Sequence, residues 1–124
     1  MPIDITTTRL AAYTVFMVSG DATATDFLAL IERVQGEYRD HGVKRVLVNL
    51  LGVDESLKFT DEFSLGEQVA RTLGDMEMIA SVVRAGRRTG TSERVARAKK
   101  MQLRVFESQD EAQAWLVAGP VPEN

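Results

Sequence analysis

An apolar run from Val46 to Leu51, broken only by Asn49, lies between the charged pair Lys44-Arg45 and Gly52. A short, β-rich run of this kind, bounded by turn signals, predicts a strand buried on both faces. Helical patterns flank it on either side, which predicts a βαβ series laid around a central strand. Ahead of it, Ile3 and Ile5 alternate with Asp4 and Thr6, and Thr7 to Arg9 supply a connection. Leu10 to Val18 follows as a second strand, with Tyr13, Val15 and Met17 on one face and Thr14, Phe16 and Val18 on the other. Ser19-Gly20-Asp21 is expected to end it. Thr23 and Asp26 then match a capping box, and Phe27, Ile31, Val34 and Tyr38 recur as one helical stripe. Asp40-His41-Gly42 closes that helix, with glycine suited to the left-handed C-terminal position.

Beyond the central strand, Val53 to Phe59 reads as a connection carrying Asp54, Glu55, Ser56 and Lys58. A second helix is expected from about Thr60 to Leu73, with Thr60 as its N-cap and Asp61 and Glu62 in the first turn. Its buried stripe is Phe63, Gly66, Ala70 and Leu73, with Val69 beside it. Met78 to Val83 is a further buried strand, and Gly86 to Gly90 a polar loop. A weaker helix is expected over Ser92 to Lys100 and a short strand over Leu103 to Phe106. Ser108 and Glu111 form another capping pattern, opening a helix that buries Ala112, Trp115 and Leu116 and stops at Gly119-Pro120. The order is β-β-α-β-α-β-α-β-α: an α/β domain spanning residues 1–124, with about five strands and four helices.

Composition narrows the chemistry. The 124 residues are 44% hydrophobic and 27% charged, a globular balance. With no cysteine, disulfides and thiolate zinc sites are excluded. One histidine, His41, leaves no histidine cluster for a metal; at the end of a helix its simplest role is to complement the helix dipole. No apolar run reaches the roughly 20 residues that span a bilayer, and Met1-Pro2-Ile3-Asp4 lacks a signal-peptide layout, so a cytoplasmic location is expected.

The second half of the chain resembles a known family. Leu65-Gly66-Glu67, the Val95-Ala96 helix, Arg104-Val105-Phe106 and Glu111-Ala112-Gln113-Ala114-Trp115-Leu116 look like the SpoIIAA-like bacterial proteins, relatives of STAS domains and, more distantly, of CRAL-TRIO lipid-binding domains. The resemblance implies a right-handed β-α superhelix with a mixed, mostly parallel sheet whose strands follow chain order. It also implies a non-catalytic, protein-binding or regulatory role. In regulatory STAS domains a serine at the start of the second helix accepts a phosphate, and Ser56 is the nearest counterpart by position. Glu55 precedes it and no Ser-Gly follows, and a phosphate there would meet like charge from Asp54 and Glu55. An ordinary acidic loop is the simpler reading.

The remaining signal is charge asymmetry. The chain carries net −3, yet residues 84–104 hold eight basic side chains against Glu93 alone, net +7, which leaves −10 for the rest. Within that stretch Arg87, Arg88, Thr91, Ser92 and Arg94 lead into a helix start that could bind an anion or an acidic protein surface, including a second copy of the chain. A solvated face with arginine stems over apolar surface is the plainer alternative. Nucleic acid is disfavoured, since no aromatic residue lies between Arg84 and Arg104. No GxGxxG, Walker, HExxH or GxSxG motif is present, so neither a cofactor nor a catalytic residue is assigned. Asp54, Glu55, Asp61 and Glu62 could hold magnesium, but acids at a helix start suit the dipole. The leading expectation is an interaction module that forms a homodimer or binds another protein. A small-molecule or lipid carrier, with Leu57, Phe59, Phe63 and Met76 around its ligand, is the alternative.

Overall fold

A computed structural model describes residues 3–55, 59–84 and 102–119. Five strands form one sheet: β1 (Asp4–Arg9), β2 (Thr14–Ala22), β3 (Arg45–Glu55), β4 (Met78–Val82) and β5 (Leu103–Phe106). They lie in chain order; β1 is antiparallel to β2 and the other pairings are parallel. Three helices are seen among the described residues: α1 (Ala24–His41), α2 (Phe59–Leu73) and α3 (Gln109–Ala118). The helix expected over Ser92 to Lys100 lies outside the described residues.

The alternation within β3 shows why the sheet sits inside. Val46 and Val48 enter a core with Phe16 and Val18 of β2, Leu30, Ile31 and Val34 of α1, and Leu73 of α2. Leu47, between them, points the other way and packs with Met78, Val82 and Phe106 against Ala112, Trp115 and Leu116 of α3. A strand in which the successive residues Val46, Leu47 and Val48 are all apolar must be covered on both sides, and α1–α2 and α3 do so. The α1 stripe is as expected, with Phe27 and Tyr38 packed at its margins. Its capping box is complete: Thr23 accepts from the Asp26 amide while Asp26 accepts from the Thr23 amide. Gly42 closes the helix at φ 66° and donates to the Tyr38 carbonyl.

Several boundaries differ from the sequence reading. The hairpin turn is residues 10–13, closed by the Leu10 amide donating to the Tyr13 carbonyl, so β2 starts at Thr14 rather than Leu10. It then passes through Ser19-Gly20-Asp21 because β3 also runs on and pairs with it to Ala22. Gly20 takes φ 110° there, a conformation costly for any other residue. Residues 53–55, expected in a connection, therefore belong to a strand. Thr60 lies inside α2, which begins at Phe59, and so is not its N-cap. Phe63 is 46% exposed and leaves the buried stripe, whereas Gly66 and Leu73 are buried and Val69 and Ala70 pack on the core.

Gly52 does not end β3. Between Met17 opposite Asn49 and Ser19 opposite Gly52, β3 carries one extra residue, a bulge. A Cβ at Gly52 would lie 3.0 Å from the Ser19 Cβ and 3.3 Å from the Val18 carbonyl oxygen, so glycine lets the two strands close again after the bulge. Gly52→Val is expected to destabilise the fold by about 1–3 kcal/mol through this overpacking. Gly36→Ala, in α1 where the added methyl meets only an arginine tip at 3.9 Å, should instead stabilise by about 0.5–1 kcal/mol. Urea unfolding of the two variants checks both signs.

Candidate functional site

In parallel α/β sheets, side chains gather where the strands end at their carboxyl edge, because the connections leave there. At that edge Asp21 and Asp54 stand side by side at the ends of β2 and β3, both exposed. Arg84, two residues beyond β4, reaches across: its Nε donates to the Leu51 carbonyl at 2.9 Å and its Nη1 to Asp54 Oδ1 at 2.8 Å. One guanidinium thus fixes the end of β3 through both main chain and side chain. Leu51 itself is 39% exposed beside this bridge.

The bulge supplies the floor of this rim. Asn49 is buried; its Oδ1 accepts the Leu51 amide at 2.9 Å and its Nδ2 donates to Gln109 Oε1 at the start of α3. A buried carboxamide needs partners for both ends, and here each end has one. The polar break in the apolar run therefore marks the position where β3 changes register and meets α3. The partners Gln109 and Arg84, 60 and 33 residues away from the groups they bond, carry no local signal.

Of the residues singled out from the sequence, Ser56, Arg87, Arg88, Thr91, Ser92 and Arg94 lie outside the described residues. For magnesium, Asp54 is committed to Arg84, and no group of three or more potential metal ligands occurs among the described residues. Met76 is buried in the core under α1 and α2 while Phe63 faces solvent, an arrangement of packing rather than of a shared ligand chamber. Leu57 lies outside the described residues, as does the Phe59 side chain.

A second cluster, at the opposite end of the sheet, was not foreseen. Arg9 grips Glu37 with two hydrogen bonds, Nε to Oε2 at 2.9 Å and Nη2 to Oε1 at 2.8 Å, and its Nη2 lies 3.0 Å from His41 Nε2. A guanidinium can only donate, so His41 Nε2 accepts. His41 serves here as an acceptor for Arg9, in addition to sitting at the α1 terminus where the sequence placed it.

The arrangement belongs to a defined class of protein. A mixed sheet in chain order with helices on both faces is the fold of an anti-sigma factor antagonist from Mycobacterium paratuberculosis, with TM-score 0.64 and 16% identity over 90% of this chain and 92% of that one. It is also the fold of an uncharacterized protein from Shewanella loihica PV-4, described as SpoIIAA-like, with TM-score 0.55 and 18% identity over 93% and 94% of the two chains. The anti-sigma factor antagonist SpoIIAA in its unphosphorylated form matches at TM-score 0.58 and 10% identity, over 94% of this chain and all of that one. The SpoIIAA-like family model matches residues 13–117, and the chain belongs to that family. No curated protein matches it in sequence.

The Arg9–Glu37 pair makes a pH prediction. Hydrogen bonding from Arg9 holds the Glu37 carboxyl below its ordinary value of 4.5, outweighing its partial desolvation. A carboxyl depressed in the folded state stabilises fully above its unfolded value, and that contribution is lost as pH falls through the lower folded value. Wild type should therefore exceed Glu37→Gln in stability at pH 7, with a smaller gap at about pH 3. Because Arg9 is largely exposed, the gap will be small. Urea midpoints at both pH values measure it.

Proposed function

We propose that this chain is a non-catalytic regulatory module that acts by binding a partner protein in the cytoplasm. The contact surface we assign is the rim at the carboxyl ends of β3 and β4 together with the first turns of α2. The observation that carries this reading is the exposure of Phe63, a large aromatic side chain five positions into α2. Buried aromatic anchors dominate protein interfaces, and an aromatic left in solvent on a rigid helix is preorganised for that role. Leu51 adds apolar area, and the Arg84–Asp54 pair supplies fixed charge of both signs. Membership of the SpoIIAA-like family and the fold shared with anti-sigma factor antagonists support a regulatory partner.

Ser56 and the candidate anion-site residues Arg87, Arg88, Thr91, Ser92 and Arg94 enter this proposal through their sequence neighbourhood, since Asp54 and Arg84 begin the segments that contain them. The +7 stretch set against a remainder of −10 supports self-association as a homodimer.

Purification of the tagged chain from its native host, followed by mass spectrometry, tests the reading. One partner in stoichiometric amount is expected. Phe63→Ser should weaken its capture at least about tenfold, since a central anchor carries about 2 kcal/mol or more, while leaving the melting temperature within about 2 °C. Arg84→Glu should weaken capture as well, with some loss of stability because it also removes the bonds to Leu51 and Asp54. Retention of the partner by both variants would remove the rim from the interface.

A further inference from the structure

The end of the sheet opposite the rim holds an open cleft of about 370 Å³, formed by the β1–β2 turn, the end of α1, the connection that follows it and Arg45 at the start of β3. Its volume falls within the range of small-ligand sites, roughly 300–1,000 Å³. Two chemistries line it. Leu10, Ala11 and Val43 contribute apolar surface, and Arg9, His41 and Lys44 contribute polar groups.

The charge inside it has a definite sign. Glu37 offsets Arg9, and Glu77 offsets Arg45, which also donates through Nη1 to the Leu116 carbonyl at 2.8 Å. Lys44 has no anionic partner among the described residues and is left as the uncompensated cation. Unspent donors accompany it. Arg9 uses Nε and Nη2 on Glu37 and His41, so its Nη1 has both N–H groups unclaimed among the described residues. His41 accepts at Nε2, which puts a proton on Nδ1, where no partner occurs among the described residues. The end of the α1 dipole opposes an anion with about half a charge, confined to the last turn, where Arg39 stands against it. A cationic ligand would meet Arg9, Lys44 and Arg45 together.

We propose that this cleft binds a small organic carboxylate with an apolar body, of the size of benzoate. The carboxylate takes hydrogen bonds from Lys44 Nζ and from the open edges of Arg9 and His41. The ring or branched chain lies against Leu10, Ala11 and Val43. Glu37 has a stated part: by holding Nε and Nη2 of Arg9 it presents the remaining edge of the guanidinium. The site is separate from the rim assigned to a protein partner, and neither reading depends on the other.

Titration of the ¹⁵N-labelled protein with sodium benzoate tests the site, with benzyl alcohol as the uncharged counterpart and inorganic phosphate as an anion lacking an apolar body. Saturable shifts confined to residues 9–14 and 41–45 are expected with benzoate below about 20 mM, and none with benzyl alcohol. Phosphate should bind at least about tenfold more weakly. Lys44→Met, an exposed substitution that leaves both ion pairs in place, should weaken benzoate about tenfold without moving the melting temperature. The proposal is overturned by absent or non-saturable shifts, by equal binding of benzyl alcohol, by phosphate binding as tightly as benzoate, or by an unchanged benzoate affinity in Lys44→Met.

Discussion

The structure depends on β3 having to bury both of its faces. Val46, Leu47 and Val48 are successive residues and all are buried, so no half-covered sheet can accommodate them. Burying each such side chain stabilises by about 1.5–3 kcal/mol, and exposing either face would forfeit that contribution. A central position with parallel neighbours on both sides follows, because parallel pairing brings its crossover helices onto the sheet. The helices after β2 and β3 cover one face, and α3, returning after β5, covers the other. Arg45 locks this arrangement at the start of β3 by joining Glu77, just before β4, to the last turn of α3.

Where that constraint ends, the rim begins. The buried run of β3 stops at Asn49, and the carboxamide converts the strand from a core element into a shaped edge. It holds the displaced Leu51 amide, ties the bulge to α3, and leaves Leu51 turned toward solvent. Arg84 then caps the Leu51 carbonyl. The exposed groups of the rim are thus held by buried or main-chain contacts on three elements, which is what a preorganised contact surface requires.

Much of the fold was legible because it is written in local periodicity. The α1 stripe and caps, the β5 limits and the buried triad Ala112, Trp115 and Leu116 all follow from spacing within a single element. What failed was read against the same local rules. Gly20 and Gly52 look like stops, yet both lie inside strands, because β2 and β3 continue each other's ladder beyond them. Phe63 fits a helical stripe by offset but faces water, and nothing in its neighbours' sequence distinguishes an anchor from a core residue. The rim and the cleft were illegible for a related reason. Arg84–Asp54, Asn49–Gln109 and Arg9–Glu37 join residues 28 to 60 positions apart, and no single-sequence pattern encodes such pairs.

Among the described residues the second face of the sheet is apolar under α3 and polar across β1, and the sequence of β1 accounts for the difference. Among the described residues, α1 and α2 cover the first face, while α3 packs on β3, β4 and β5 on the second. The β1–β2 half of that second face presents Thr6, Thr8 and Ser19 around Met17, which is 44% exposed. Threonine suits a strand by its branched Cβ and water by its hydroxyl, so this half needs no helix above it. The first strand's Ile5 and Thr7 face the other way, with Ile5 packed against the core that α1 completes. The polar outer face of β1 therefore stands in water beside the part of the sheet that α3 covers, while the apolar face of the same strand turns toward the core under α1.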